Sequence, residues 1–505
     1  MPIKEKLAES PAGISSYGEI LRSSSIMGGA QALIQILGLI RTKLVAVLLG
    51  PSGVGLVSLY VSLIGLVQSL AQMGLDQSGV REAAAAAARN SEELGKTAKL
   101  LRRACWITGL AGWALTACLA RPLAQWTFES EERAWAVALL GSVVLLESIA
   151  TAQRALLQGV RRLGDLAKMQ VLGSLTTTII AIFVYFLLGE RGILPVIILT
   201  SAVQVAYSWH FARQIKVAQV PQAWSETLAS CGQLVKLGLA FMYGGVAMSA
   251  VGFAIRAFIS RDFGVEAAGV YQAAWALSGM FAGFVLQAMG TDFYPKLSGL
   301  SGNNGTVNRL VNEQIEVGLL LACPGIVGVI AFAPWVVDVL YSSKFGDSAP
   351  MLPWFALGVL GQVFSWPVGM IPAAKSATGY LYFSRTAAAL LHAGLAFALI
   401  RAVGLQGSAI AFCAFVWMQN VVNTLVARKL SNFAYSGGAM RLLFVCLVSA
   451  SAAWLIELQL SPPANIVSGV LLCAGSLTLS LKLLAARVPK VAAALALGRS
   501  WFRSS

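Results

Sequence analysis

Long apolar runs separated by short polar turns make up almost the whole chain. A helix that crosses a bilayer needs about 20 mostly apolar residues. Fourteen runs reach that length, at roughly 24–46, 54–75, 100–120, 134–156, 167–189, 193–213, 234–258, 266–289, 310–334, 350–372, 379–400, 405–427, 439–459 and 464–485. Strict alternation over about ten residues, the mark of a membrane β-barrel strand, does not occur. The pattern predicts an all-α polytopic membrane protein with about fourteen transmembrane helices. Glycine and other small residues recur inside the runs, as expected where helices approach closely in lipid.

The connections between runs carry a second pattern. With the N-terminus placed inside, about three-quarters of the 37 Lys and Arg residues fall on the inner side, and every inner connection contributes. This predicts an even number of spans with both termini cytoplasmic. No cleavage motif follows the first apolar run, so no removable signal peptide is expected.

The chain also reads as an internal duplication. Gly50 and Gly55 in LLGPSGVGLVSLY recur at a constant offset as Gly264 and Gly269 in RDFGVEAAGVYQA. At an offset one residue longer, Glu147 falls on Gln362, and Gly159–Gly164 falls on Ala374–Gly379. The expected organisation is an N-terminal segment 1–23, a six-helix lobe 24–215, a cytoplasmic linker 216–232, a second six-helix lobe 233–430, two additional helices in 431–486, and a basic tail 487–505. An even number of spans per half makes the repeat parallel, about an axis along the membrane normal.

Composition sharpens the class. The chain is 57% hydrophobic and only 12% charged, with mean hydropathy +0.74. Soluble domains average about 25% charged residues. That excludes a soluble multidomain enzyme, a disordered chain and a nucleic-acid binder. The net charge of +15 is spread along the chain and reports topology. The seven cysteines are odd in number, form no CxxC pair, and all but Cys231 lie in apolar runs, so free thiols are expected. His210 and His392 stand too far apart for a metal site. No metal, no cofactor and no enzymatic activity are expected, and no G-x-x-x-x-G-K-[ST] nucleotide loop is present.

Several segments are distinctive together: R-x-K-x-x-x-x-x-x-G-P-x-G-x-G over Arg41–Gly55, G-L-D-x-S-G-V-R-E over Gly74–Glu82, L-Y-S-S-K-F-x-x-S-A-P-M-L over Leu340–Leu352, S-W-P-x-G over Ser365–Gly369 and A-K-S-A-T-G over Ala374–Gly379. The chain resembles the polysaccharide-transporter branch of the multidrug/oligosaccharidyl-lipid/polysaccharide exporter superfamily. Within it, the O-antigen and enterobacterial-common-antigen flippases are most similar. The resemblance implies two pseudo-symmetric six-helix lobes around a central cavity, in a bacterial inner membrane. It implies an oligosaccharide carried on undecaprenyl pyrophosphate, turned from the inner to the outer leaflet. It also implies a polysaccharide polymerase and a chain-length protein as partners, beside the membrane lipids.

Charges inside spans are costly and usually face a cavity. Arg41 and Lys43 lie toward the outer end of the first span, and Arg256 lies within a residue of Arg41's repeat position. As cavity groups they suit a pyrophosphate, which accepts planar guanidinium forks. As interfacial groups they would snorkel to the outer headgroups. Glu147, Thr151, Arg154 and Gln158 share one face of the fourth span, and Gln362 and Trp366 occupy the matching face of the tenth. These read either as inner-half substrate contacts or as a structural polar network. Glu147 is the candidate carboxylate for a coupling ion, H+ or Na+, with Arg154 two turns away and each expected to find its own cavity water or neighbouring span. Gln31 and Gln35, one turn apart on the first span, could face sugars, and Trp366 could stack on a sugar ring. The set is more cationic than anionic, which favours an anionic lipid-linked oligosaccharide. The alternatives are a multidrug/cation antiporter of the same superfamily and a peptidoglycan-precursor flippase.

Overall fold

The computed structural model describes residues 16–487, except 216, 219–223, 376 and 462–463; of 16–28, 224–241, most of 281–295, 378 and 381 it describes the backbone alone. Among the described residues there is no strand. The helices are α1 (Ser16–Ala71), α2 (Leu75–Arg89), α3 (Ser91–Cys118), α4 (Ala120–Phe128), α5 (Ala134–Gly159), α6 (Leu163–Leu188), α7 (Ile193–Ala212), α8 (Trp224–Phe263), α9 (Val265–Gly299), α10 (Asn304–Ala331), α11 (Ala333–Leu340), α12 (Leu352–Gly369), α13 (Ile371–Ala374), α14 (Thr378–Val403), α15 (Gln406–Ser431), α16 (Gly437–Gln459) and α17 (Ala464–Arg487). All fourteen apolar runs fall on these helices, some reaching into the next one, so the chain is a multi-pass helical membrane protein.

By length and composition, ten stretches among the described residues can cross a membrane, or eleven with the bent pair α3–α4. Two of the ten, Gly29–Ala71 and Leu163–Ala212, are 43 and 50 residues long, which is room for two crossings each at about 20 residues per crossing. The first divides at Gly50, where φ 66° and ψ −168° interrupt the helix. Only glycine reaches that backbone region without strain. Pro51 then opens the next helix, where its missing N–H costs nothing. The second divides at Gly189, whose φ is 55°.

The chain forms two compact units, Met1–Leu49 with Tyr60–Val246, and Gly50–Leu59 with Ala247–Ser505. The short segment Gly50–Leu59 thus groups with the second unit. Residues 224–232, expected in the linker, are already helical as the start of α8, while 216 and 219–223 lie outside the described residues.

One packing scheme serves both units. In the first, α5 packs on α3 and α7, and α7 packs on α6. In the second, α12 packs on α10 and α15, and α15 packs on α14. The matching elements occupy matching places in the duplication. Backbone conformation repeats as well: Gly50 pairs with Gly264 (φ 66° and 89°), and Gly189 with Gly404 (φ 55° and 76°). The C-terminal ends of these helices also match, since α3 bends by 61° into α4 and α10 gives way to α11 at Phe332.

Two features lie outside the packing scheme that the two units share. Helix α2 is an Ala-rich amphipathic segment that packs on α5, burying Leu75, Ser78, Gly79, Ala83 and Ala86. Helices α16 and α17 follow the duplication and both pack on α10.

Candidate functional site

In the first unit the polar face of α5 closes upon itself. Arg154 reaches back two turns, and its Nη1 and Nη2 both donate to Glu147 Oε2, at 3.3 and 3.2 Å. Arg154 Nη2 also donates to Thr151 Oγ1 at 2.9 Å. Gln72 Nε2, at the end of α1, donates to the same hydroxyl at 3.0 Å. The sequence expectation gave Glu147 and Arg154 separate partners. The correction is geometric: seven residues of helix rise about 10.5 Å, and the long arginine side chain spans most of that along one face. Glu147 and Arg154 keep 21% and 30% of their side-chain surface, so the pair is half-buried. Gln158, on the same face, is exposed.

Arg41 stands apart from this network. It is half-buried on α1, near enough to the Tyr185 hydroxyl for the two to interact electrostatically. Among the described residues it makes no hydrogen bond or ion pair. Lys43 is half-buried and already engaged with the protein. Gln31 and Gln35 are half-buried, one turn apart.

In the second unit Arg256 is held on three sides. Its Nε and Nη2 donate to Gln272 Oε1 at 3.1 and 3.0 Å. Its Nη1 donates to the Gly252 carbonyl at 2.9 Å. The guanidinium lies 5.5 Å from the centre of the Tyr271 ring, a cation–π distance. Tyr271 is itself buried at 2% exposure and stacks on Trp275 at 6.3 Å. Gln362 is exposed on α12, and Trp366, one turn on, packs against Phe293 at 5.7 Å.

The sequence reading missed two groups, Glu316 with its asparagine ladder and the pair Gln419 and Asn423. Glu316 on α10 is another carboxylate within a span; its Oε1 accepts from Ser436 Oγ at 2.8 Å. It continues a ladder at four-residue spacing with Asn308 and Asn312, which bind the backbone of Ser431, Ala434 and Ser436. Gln419 and Asn423 on α15 bond Ser384 and Ser365. Buried His392 stacks on Phe415 at 4.5 Å. The four-residue spacing was visible; neutral amides drew less notice than charges.

The chain is similar to known proteins in sequence and in fold. The chain is 24% identical over 406 residues to the "Lipid III flippase" of Escherichia coli (strain K12), covering 78% of this chain and 95% of that protein. The same figures hold for the "Lipid III flippase" of Shigella flexneri. Its fold is similar to the inward-facing conformation of a multidrug resistance MATE family transporter of the MOP superfamily, with TM-score 0.67 and 17% identity over 79% of this chain and 95% of that one. It is also similar to the lipid II flippase MurJ in an inward closed conformation, with TM-score 0.65 and 15% identity over 90% and 98%. The family described as polysaccharide biosynthesis protein matches residues 44–350, more than half of the chain, and the chain belongs to that family.

Proposed function

We propose that the chain is a flippase that moves undecaprenyl-pyrophosphate-linked oligosaccharide, an O-antigen or related surface-polysaccharide repeat unit, across the bacterial inner membrane by alternating access. The observation that carries this reading is the state of the intramembrane charges. Two carboxylates deep within spans are already engaged, Glu147 by Arg154 and Glu316 by Ser436. The two repeat-matched arginines still have N–H donors to give. Arg41 makes no protein hydrogen bond among the described residues, and Arg256 uses three of its five N–H groups. An organic cation would need the opposite arrangement. A diphosphate, with oxygens to satisfy at membrane depth, suits this one. The names of the curated relatives support the same substrate class.

In this reading Arg41 and Arg256 bind the diphosphate. Gln31, Gln35, Gln362 and Trp366 meet sugars, and Lys43 adds positive charge. Glu147 carries the coupling ion, H+ or Na+. The ion pair adds a consequence: loading Glu147 removes its attraction for Arg154 and frees that guanidinium. Ion binding and cation exposure then become one event. Both termini remain on the cytoplasmic side, and the polymerase and chain-length proteins receive the product.

The test is a binding comparison on the purified protein in nanodiscs. Undecaprenyl pyrophosphate should bind and tetraphenylphosphonium should not. Preference for the organic cation would replace this reading with the antiporter.

A further inference from the structure

We propose that Gln272 is a positioning residue that fixes Arg256 as an anion receptor without neutralising it. The proposal rests on the flippase reading above and concerns how its diphosphate is gripped.

A guanidinium at membrane depth needs partners. The usual partner is a carboxylate, which also cancels the charge, as Glu147 does for Arg154. Gln272 offers the same geometry without the charge. Its amide oxygen accepts from both Nε and Nη2, the side-on edge of the fork that a carboxylate usually occupies. Arginine nitrogens only donate, so the amide oxygen must be the atom that faces them. The Gly252 carbonyl takes one N–H of Nη1. Two N–H groups then remain, one on each terminal nitrogen. The positive charge remains too, resting on the buried Tyr271 ring.

The surroundings hold this pose. Tyr271 is fixed by Trp275 and by Phe355 at 6.0 Å. A methyl group on Gly252 would stand 3.3 Å from Nη1, so the glycine gives the guanidinium room to lie back along α8. Gln272 is adjacent to Tyr271 on α9, so one helix supplies both the ring below the cation and the oxygen at its edge. No acidic side chain pairs with Arg256 among the described residues. The guanidinium is preorganised, charged and left with two N–H donors. Preorganisation of this kind raises affinity by removing the ordering cost from the binding step.

The experiment compares three versions of the full-length protein in nanodiscs: wild type, Gln272→Glu and Gln272→Met. The probe is undecaprenyl pyrophosphate, with undecaprenyl monophosphate and undecaprenol as controls. Gln272→Glu keeps both hydrogen bonds but cancels the charge, and should weaken pyrophosphate binding at least about tenfold. Gln272→Met keeps the volume and the charge but frees the fork, and should weaken it by about threefold. A purely structural glutamine gives the reverse order, with the isosteric glutamate tolerated and methionine worse. That order, or wild-type binding by Gln272→Glu, overturns the proposal. If Gln272→Glu does not fold, unchanged affinity in Gln272→Met overturns it instead. Failure of the flippase reading looks different: wild type itself would bind undecaprenyl pyrophosphate no better than undecaprenol.

Discussion

Gly55 and Gly269 stand against each other in a reciprocal contact. A methyl group added to Gly55 would run into the Val265 carbonyl, and one added to Gly269 would run into the Pro51 carbonyl. Pro51 and Val265 are themselves partners in the duplication. The two copies of the G-P-x-G-x-G region therefore meet each other in a locally two-fold arrangement, with backbone on backbone. Neither position has space for a side chain.

Gly55→Ala and Gly269→Ala should each destabilise the protein by about 2 kcal/mol, and by similar amounts. The double substitution should cost less than the sum, because one backbone separation relieves both clashes. Gly65→Ala, with open space around it, should be neutral or mildly stabilising. Thermal unfolding in detergent measures all four. Normal stability in both single variants would show that the close contact does not form.

The ion pair on α5 makes a second prediction. Arg154→Ala leaves the Glu147 carboxylate half-buried and uncompensated, and should cost about 2 kcal/mol. Glu147→Gln should leave the protein folded and able to bind substrate. Adding Glu147→Gln to Arg154→Ala should recover part of the loss. Additive costs in this double-mutant cycle would show that the two side chains do not interact.

If Glu147 carries the coupling ion, Glu147→Gln should also make transport insensitive to an imposed pH step or sodium step, whichever drives wild type. A variant that responds as wild type does removes Glu147 from the coupling role.

Topology is a separate prediction. A cysteine at Glu131 should react with an impermeant maleimide from outside, and one at Arg161, which is exposed, only after the cytoplasmic side is opened. The reverse result would invert the orientation drawn from the Lys and Arg distribution.

Much of the architecture was legible because lipid imposes long apolar runs, and each run became a helix. The Gly50/Gly264 and Gly55/Gly269 spacing carried the duplication because backbone geometry, which sequence drift cannot easily replace, depends on those positions. The Gly189/Gly404 pair obeys the same logic and was overlooked. Helix α2 stood outside the apolar runs for a physical reason: Arg81, Glu82 and Arg89 make it too polar to enter lipid, and only its face of Leu75, Ser78, Gly79, Ala83 and Ala86 is buried. The candidate site was legible as residue types on a face. Partnership was not. Glu147 and Arg154 were seen on one stripe, but their direct bond depends on the reach of an extended side chain. Gln272 gave no signal, because its role exists only when α9 lies against α8 at Arg256.

The arginines make the prediction nearest to function. In cells that depend on this chain for glycan export, Arg41→Ala and Arg256→Ala should each strongly reduce export at unchanged protein level. Lysine at either position should restore only part, since a point charge replaces a planar fork. Normal export by both alanine variants would make these residues headgroup anchors.

The most direct measurement is translocation itself. Purified protein would be reconstituted into vesicles holding undecaprenyl-pyrophosphate-linked oligosaccharide, and the glycan reaching the opposite leaflet would be followed with an impermeant lectin or glycosidase. Wild type should move the glycan-lipid far faster than protein-free vesicles, and Arg41→Ala and Arg256→Ala should fall close to the protein-free rate. A wild-type rate equal to that of protein-free vesicles, in protein shown to be folded, would contradict the proposed function.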